Sequence, residues 1–313
     1  MIFITEADVR RVLTPRKAIA ALRAVFSADP ATVCIPTRSH HDLSPDHVLL
    51  TMPCFSSVDE RYGVKLVTVT RNSVSSSDIG AIYLLYERKT SAILAMIEAS
   101  YLTDLRTAAA SALATQSLAR DDAKILGLFG TGRQARAHAA VLPCVQNFER
   151  ILVCGSSRDK AEAFARNVAV EMRISAEAVE AEECVRRSDV IATCTNATAP
   201  LFDGQWLRPG THLNLVGGYR PNMREVDDAT VARSRVIVDT RDGALAEAGE
   251  LIIPLRSGAI SSDHVLGDLH ELVIGKARAR TSPEDITLFK SVGCALEDLA
   301  VANIVYDETR LAS

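Results

Sequence analysis

Apolar positions along the chain fall into two regimes. Between positions 33 and 97 they form short runs, at 48–52, 62–70, 81–86 and 93–97. Turn residues such as Asp59-Glu60 and Arg88-Lys89-Thr90 separate them. Such runs read as strands, and strands that follow one another without helices predict an antiparallel sheet. Ahead of them, residues 5–28 read as helix. Thr5 with Glu6 and Asp8 makes a start signal, and Pro15 suits the first turn of a second helix whose Ala18, Leu22, Val25 and Phe26 share one face. Residues 99–120 form an Ala-rich helical stretch that leads into the second regime. From position 124 onward, strand-like runs at 124–129, 150–154, 189–195, 212–216 and 235–239 are spaced by helical segments such as 159–171. That alternation predicts a parallel, doubly wound sheet, so the fold class is α/β: a Rossmann-type sheet plus a smaller α+β domain. A last helix over 292–306, with Ala295, Leu299, Ala302 and Val305 near helical spacing, could return to the first domain.

The densest signal lies in Lys124 to Val141, KILGLFGTGRQARAHAAV. An apolar strand runs into Gly130-Thr131-Gly132 and then into a helix start, the G-x-G-x-x-A arrangement of a dinucleotide-binding turn. Gly130 permits the tight turn. Gly132, without a Cβ, lets a pyrophosphate approach the backbone, and Ala135 lets the helix pack close to the strand. The free N–H groups of that helix end would hold phosphates.

The chain has 313 residues, 48% of them apolar, and a formal net charge of -4. That is enough for two domains, and the lack of a basic stripe argues against nucleic acid as a partner. Seven scattered cysteines with no C-x-x-C pair read as reduced thiols of a cytoplasmic protein. The N-terminus is charged by its sixth residue, unlike a signal peptide, and no apolar run is long enough to span a bilayer.

Candidate chemistry is sparse. The second strand of the alternating region ends Cys154-Gly155-Ser156-Ser157-Arg158, with no carboxylate to accept a ribose 2′-OH. Two hydroxyls and a guanidinium suit a 2′-phosphate, so NADP(H) is preferred, with NAD(H) as the alternative. Ser156 and Ser157 could equally cap the helix that follows. Arg38 in a strand-like segment, Lys65 inside an apolar strand and Arg106 in the Ala-rich helix are the cations suited to a carboxylate substrate. Taken singly, each also reads as an ordinary surface charge. A buried Lys65 would have a lowered pKa and could exchange a proton near neutrality. His40 and His41 point to opposite faces of a strand, so they read as solvated histidines and no metal is expected.

Several segments together carry a family pattern: Tyr62-Gly63-Val64-Lys65, Leu102-Thr103-Asp104-Leu105-Arg106-Thr107-Ala108-Ala109, Gly130 to Ala135, Val216-Gly217-Gly218-Tyr219-Arg220-Pro221, Leu266-Gly267-Asp268-Leu269 and Phe289-Lys290-Ser291-Val292-Gly293. In this order they resemble the ornithine cyclodeaminase/mu-crystallin family over nearly the whole chain. The resemblance implies a discontinuous substrate and dimerisation domain, 1–118 with 292–313, around a Rossmann domain, 119–291. It implies that Arg38, Lys65 and Arg106 meet on a substrate carboxylate. Thr131, Gln134, Ser156, Ser157 and Arg158 match positions that hold the cofactor, Thr193 and Val216 fall near its nicotinamide half, and Ser291 lines the same cleft. A homodimer is the family's norm. Cyclodeaminases resemble G-G-D-C-P-G-K-T-E where this chain has Gly217-Gly218-Tyr219, so Tyr219 replaces a carboxylate. The pattern is closer to the mu-crystallin and ketimine reductase branch. That implies NAD(P)H-dependent reduction of cyclic imino acids such as Δ1-pyrroline-2-carboxylate or Δ1-piperideine-2-carboxylate. The alternatives are an ornithine cyclodeaminase, an alanine-dehydrogenase-like enzyme, or a non-catalytic crystallin-like NADPH binder.

Overall fold

In a computed structural model of the chain, which describes residues 1–70 and 79–311, the two regimes become two sheets. The chain opens with β1 (Ile2–Ile4), α1 (Glu6–Val12) and α2 (Pro15–Ser27). Strands β2 (Val33–Cys34), β3 (Ser39–Ser44), β4 (His47–Ser56), β5 (Arg61–Thr70), β6 (Ile79–Glu87) and β7 (Ile93–Glu98) follow, then α3 (Ser100–Leu118). The alternating part holds β8 (Ile125–Phe129), α4 (Arg133–Val141), β9 (Arg150–Cys154), α5 (Arg158–Met172), β10 (Ser175–Ala178), α6 (Ala181–Arg187), β11 (Val190–Thr193) and β12 (His212–Leu215). It continues through α7 (Asp228–Ala232), β13 (Ser234–Val238), α8 (Arg241–Glu247), α9 (Gly249–Ser257), β14 (Val265–Asp268), α10 (Leu269–Val273) and β15 (Ile286–Lys290), and the chain closes with α11 (Ala295–Leu311).

These elements form two compact units, Met1–Arg106 with Cys294–Ser313, and Thr107–Gly293. The first division falls inside α3, between Arg106 and Thr107. The final helix starts at Ala295, three residues later than its apolar spacing suggests, after Gly293 has turned the chain at φ 82°.

In the first unit, Thr5 caps α1 in a reciprocal capping box with Asp8, and Thr14 caps α2 ahead of Pro15. Residues 5–28 are therefore two helices, the second opening at Pro15 as the sequence indicates. The sheet order is β1-β7-β6-β5-β4-β2, with β3 also on β4. Pairing is antiparallel as expected, except that the unforeseen β1 runs parallel to β7. Three apolar residues at the N-terminus are too few to show a strand period. One sheet face is buried: Val48, Leu50, Met52 and Cys54 on β4, Lys65, Val67 and Val69 on β5, Tyr83 and Leu85 on β6, Ala95 and Ile97 on β7. Helix α11 packs on β4, β5 and β6, with α1 and α2 against α11.

In the second unit, the sheet order is β10-β9-β8-β11-β12-β15-β13-β14, and every pairing among the described residues is parallel. Its central strands are buried on both faces, as in β11, where Val190, Ile191, Ala192 and Thr193 have no exposure. Strand order reverses between β8 and β11, so the carboxyl ends of those two strands flank the crevice in which such sheets bind ligands.

Candidate active site

The first unit places Lys65 in the middle of its sheet. Lys65 stands opposite Met52 on β4 and Tyr83 on β6, on the face covered by α11, and is 1% exposed. Its Nζ donates to Asp298 Oδ1 at 2.8 Å. Arg106 is also buried: its Nε donates to the same Asp298 oxygen at 3.0 Å and its Nη1 to Glu297 Oε2 at 2.5 Å. Two buried cations thus share two carboxylates, both wholly buried, from the last helix. Burial pushes the Lys65 pKa down to about 8, with the Arg106 and Arg38 charges acting the same way and Asp298 opposing them. For Arg106, burial works against the charge, but Asp298 and Glu297 outweigh it and hold the guanidinium ionised. Burial likewise pushes the neighbouring Tyr83 hydroxyl well up, so it stays protonated.

Arg38 lies in an irregular link between β2 and β3 and not in a strand, because Pro36 interrupts the run. It is half-buried, and its charge is felt at Lys65. Lys65 and Arg106 therefore share one cluster, and the Arg38 charge acts on Lys65. Glu297 and Asp298 were not foreseen. Their signal is faint but present: two adjacent acids inside the otherwise apolar stretch 295–302 of the last helix, all of it buried. Acids with apolar neighbours on every side need a buried partner. His40 and His41 pair with Leu50 and Leu49 on β4 and are exposed, and no group of metal-ligating side chains occurs among the described residues.

The second unit lines up the other candidates along one edge. Gly130 follows β8, Ser156 and Ser157 follow β9, Thr193 ends β11, Val216 follows β12 and Ser291 follows β15. Backbone hydrogen bonds extend the ladder through them: Gly130 N to Cys154 O, Val216 N to Thr193 O and Ser291 N to Leu215 O. Gly130 has φ 113°, and a Cβ there would lie 2.6 Å from Cys194 O, so only glycine makes this turn. Gly132 opens α4 with no side-chain cap, and nothing lies within 4 Å of where its Cβ would be. Uncapped helix N–H groups facing open space fit a diphosphate. Ala135 is buried where α4 meets the sheet, and Thr131 and Gln134 are half-buried beside it.

Past β9, Ser157 does cap α5, accepting from Lys160 N at 3.4 Å. Arg158 is exposed and paired with Glu162 at 2.8 Å. The Thr193 hydroxyl is turned inward, donating to Glu225 at 2.6 Å. Asp239 holds the Ser291 end by accepting from Ser291 Oγ, Val292 N and Gly293 N. His138 is buried on α4 with its pKa pushed down to about 4 by burial, so it is a neutral strut to Ser111.

These features define the class: a Rossmann-type α/β unit joined to a discontinuous α+β unit with a buried cation cluster. The chain belongs to the ornithine cyclodeaminase/mu-crystallin family, whose model matches residues 3–312. It is 34% identical to a Δ1-pyrroline-2-carboxylate reductase of Bacillus cereus over 98% of this chain and 96% of that one. It is also 34% identical to the ketimine reductase mu-crystallin of Rattus norvegicus, over 89% and 84% of the two chains. Among solved structures, the Δ1-pyrroline-2-carboxylate reductase of Thermococcus litoralis, in complex with NADH and L-proline, is similar over 100% of this chain and 98% of that one. The TM-score is 0.96 at 33% identity. No helix among the described residues is long and apolar enough to cross a membrane.

Proposed function

We propose that this protein is an NAD(P)H-dependent reductase of cyclic imino acids, Δ1-pyrroline-2-carboxylate or Δ1-piperideine-2-carboxylate, giving the cyclic amino acid. The observation that carries the reading is the buried Lys65, an ammonium whose pKa is lowered to about 8 beside Arg106 and Asp298. Asp298 takes one of its three N–H groups, which leaves donors for a substrate. The relatives named above, reductases of this substrate class, support the same assignment.

In this reading Arg106 and Arg38 bind the substrate carboxylate and Lys65 orients the ring. Arg106 is suited to that task because Asp298 and Glu297 fix its Nε and Nη1 while its Nη2 group remains to donate. When bound, the dihydronicotinamide would supply hydride to the C=N carbon. Lys65 supplies the proton to the imine nitrogen, becomes a neutral amine and regains its proton from water. The second unit holds the dinucleotide through Gly130, Thr131, Gly132, Gln134 and Ala135 at the turn, with Ser156, Ser157 and Arg158 on the adenosine side and Thr193, Val216 and Ser291 on the nicotinamide side. NADP(H) is favoured over NAD(H), since residues 155–158 offer hydroxyls and a guanidinium and no carboxylate.

The first unit, by the same reading, also forms a homodimer. Its outer sheet face carries Phe55 (40% exposed), Ile82 (37%) and Ile93 (39%), with Tyr62 stacked on Tyr86 at 5.1 Å, an apolar surface suited to a second copy. A cytoplasmic setting agrees with the seven free cysteines. Tyr219, in place of the cyclodeaminase carboxylate, disfavours ammonia loss from ornithine.

The test is consumption of NADPH and NADH with both cyclic imino acids, beside ammonia release from ornithine and dehydrogenation of alanine. The wild type is expected to reduce the imino acids. Lys65→Met is expected to lose at least about a hundredfold in kcat, as for loss of a general acid, while binding the dinucleotide unchanged. Full turnover by that variant overturns the proposal.

A further inference from the structure

Glu225, in the loop between β12 and α7, is fully buried and accepts four hydrogen bonds. Its Oε1 accepts from Thr195 N at 2.7 Å and Thr195 Oγ1 at 2.8 Å. Its Oε2 accepts from Thr193 Oγ1 at 2.6 Å and Gly217 N at 2.7 Å. All four donors lie at or just past the carboxyl ends of β11 and β12. Behind it, the backbone N–H of Glu225 donates to Glu250 Oε1 at 3.1 Å, and Glu250 pairs with Lys290 at 3.3 Å, both without exposure. The loops close tightly over the carboxylate. A Cβ on Gly217 would lie 2.0 Å from Thr195 O and 2.5 Å from Glu225 Oε1.

Two backbone N–H groups and two threonine hydroxyls fill the lone-pair sites of the side chain. Burial and Glu250 push its pKa up, and Lys290 and the threonine hydroxyls oppose them. Such a group serves to hold backbone, not to react, since it has no exposed surface. What it holds matters because of where the sheet order reverses. A dinucleotide in a sheet of this order crosses at β8 and β11, with its diphosphate over the turn after β8 and its adenosine toward β9. Its nicotinamide half then extends over the loops after β11 and β12, the two loops that Glu225 ties together.

We propose that Glu225 is a positioning residue for the nicotinamide half of the dinucleotide, locking the loops after β11 and β12 into one rim by consuming their inward-facing donors. The inference rests on the dinucleotide-binding part of the proposed function. Glu225→Gln keeps the shape but turns an NH2 toward N–H or O–H donors, so the loops must part.

Binding is measured by calorimetry with NADPH, NADH and the adenosine fragments 2′,5′-ADP and 5′-AMP, for the wild type, Glu225→Gln and Thr195→Val. Glu225→Gln is expected to weaken the better-bound dinucleotide by about tenfold or more, because buried donors lose their acceptor. The matching fragment should be bound within about twofold of wild type, since its contacts lie on the β9 side. Thr195→Val removes one donor of the four, leaves the carboxyl group in place, and is expected to weaken the dinucleotide by about threefold. It carries the test if Glu225→Gln does not fold. Equal losses for dinucleotide and fragment, or no loss for either, overturn the proposal. A wild type that binds neither NADPH nor NADH overturns the function on which it rests, a different and recognisable outcome.

Discussion

Replacing Asp298 by asparagine removes one negative charge, and almost no volume, from the centre of the cation cluster. Asparagine can still accept from Lys65 through its Oδ1, so the contact at 2.8 Å survives in shape. What disappears is the charge that opposes burial, Arg106 and Arg38 in setting the Lys65 pKa at about 8. An opposite charge at such a distance shifts a pKa by about 1–3 units, so in Asp298→Asn the Lys65 pKa should fall by that amount. The sign for catalysis follows. On the proposed mechanism Lys65 donates the proton in imine reduction, so kcat/KM falls as pH rises through its pKa. In the wild type that alkaline limb should stand near pH 8. In the variant it should move down by about 1–3 pH units, making the enzyme poor at pH 8 yet near wild type in weak acid. The stability effect is bounded. Lys65 can shed its proton, so its share of the loss at pH 7 is at most about 1.4 kcal/mol, the free energy of one pKa unit between about 8 and 7. Arg106 cannot deprotonate and keeps only Glu297, so any loss beyond that belongs to it. The assay is a pH profile of kcat/KM from steady-state NAD(P)H oxidation on the imino acid, wild type against variant. A limb that does not move refutes the reasoning: either Lys65 is not the titrating acid, or Asp298 does not set its charge.

Two other substitutions probe the second unit. Ser156→Asp places a carboxylate two residues past β9. It is expected to raise the KM for NADPH by about tenfold or more while sparing NADH, through repulsion of the 2′-phosphate. An unchanged NADPH/NADH ratio would remove Ser156 from the cofactor site. Gly130→Ala forces a side chain onto a residue at φ 113° and within 2.6 Å of Cys194 O. The backbone strain alone is about 1–3 kcal/mol, read as a fall of several degrees in Tm together with loss of dinucleotide binding. A wild-type melting curve would contradict the geometry of the turn.

Much of this was readable along the chain, and the reasons differ by element. The strand at 150–154 is fully apolar in its middle and matches β9 residue for residue. The glycine turn after β8 was legible because only glycine tolerates its φ. By contrast β10, with the sequence Ser-Ala-Glu-Ala, is an edge strand with exposed alternate residues and no apolar run to mark it. Strand β15 was not read as a strand: the family segment 289–293 overlaps only its last two residues, and Thr287 and the buried Lys290 break its apolar run. The same limit hid the ionic side of the site. Lys65 and Arg106 were visible as cations in apolar settings. Their carboxylates were not, because no local period links a sheet residue to a helix 233 positions later. Glu225 escaped notice for a related reason. It reads as an ordinary loop acid, and its importance lies in donors 8 to 32 residues away.

That long separation also accounts for why the first unit is discontinuous. Lys65 stands in the middle of a sheet whose neighbours at that level are Met52 and Tyr83, neither able to balance a charge. An ion buried without a partner costs several kcal/mol even after the protein relaxes, so residues 1–106 alone could not close over it. Arg106 poses the same problem, and worse, since it cannot become neutral. Both are resolved by one element. Helix α11 covers the buried face of β4, β5 and β6, and it carries Glu297 and Asp298 side by side in its first turns, where 295–302 are otherwise apolar. The apolar residues close the core and the two acids make closure electrostatically permissible. Lys65 and Arg106 therefore reach their buried, paired state only when the last helix of the chain has docked. Site assembly and completion of the first unit's core are then the same event. If Lys65 is the proton donor of the proposed reaction, its counterion sits at the far end of the sequence because it arrives there together with the hydrophobic cover.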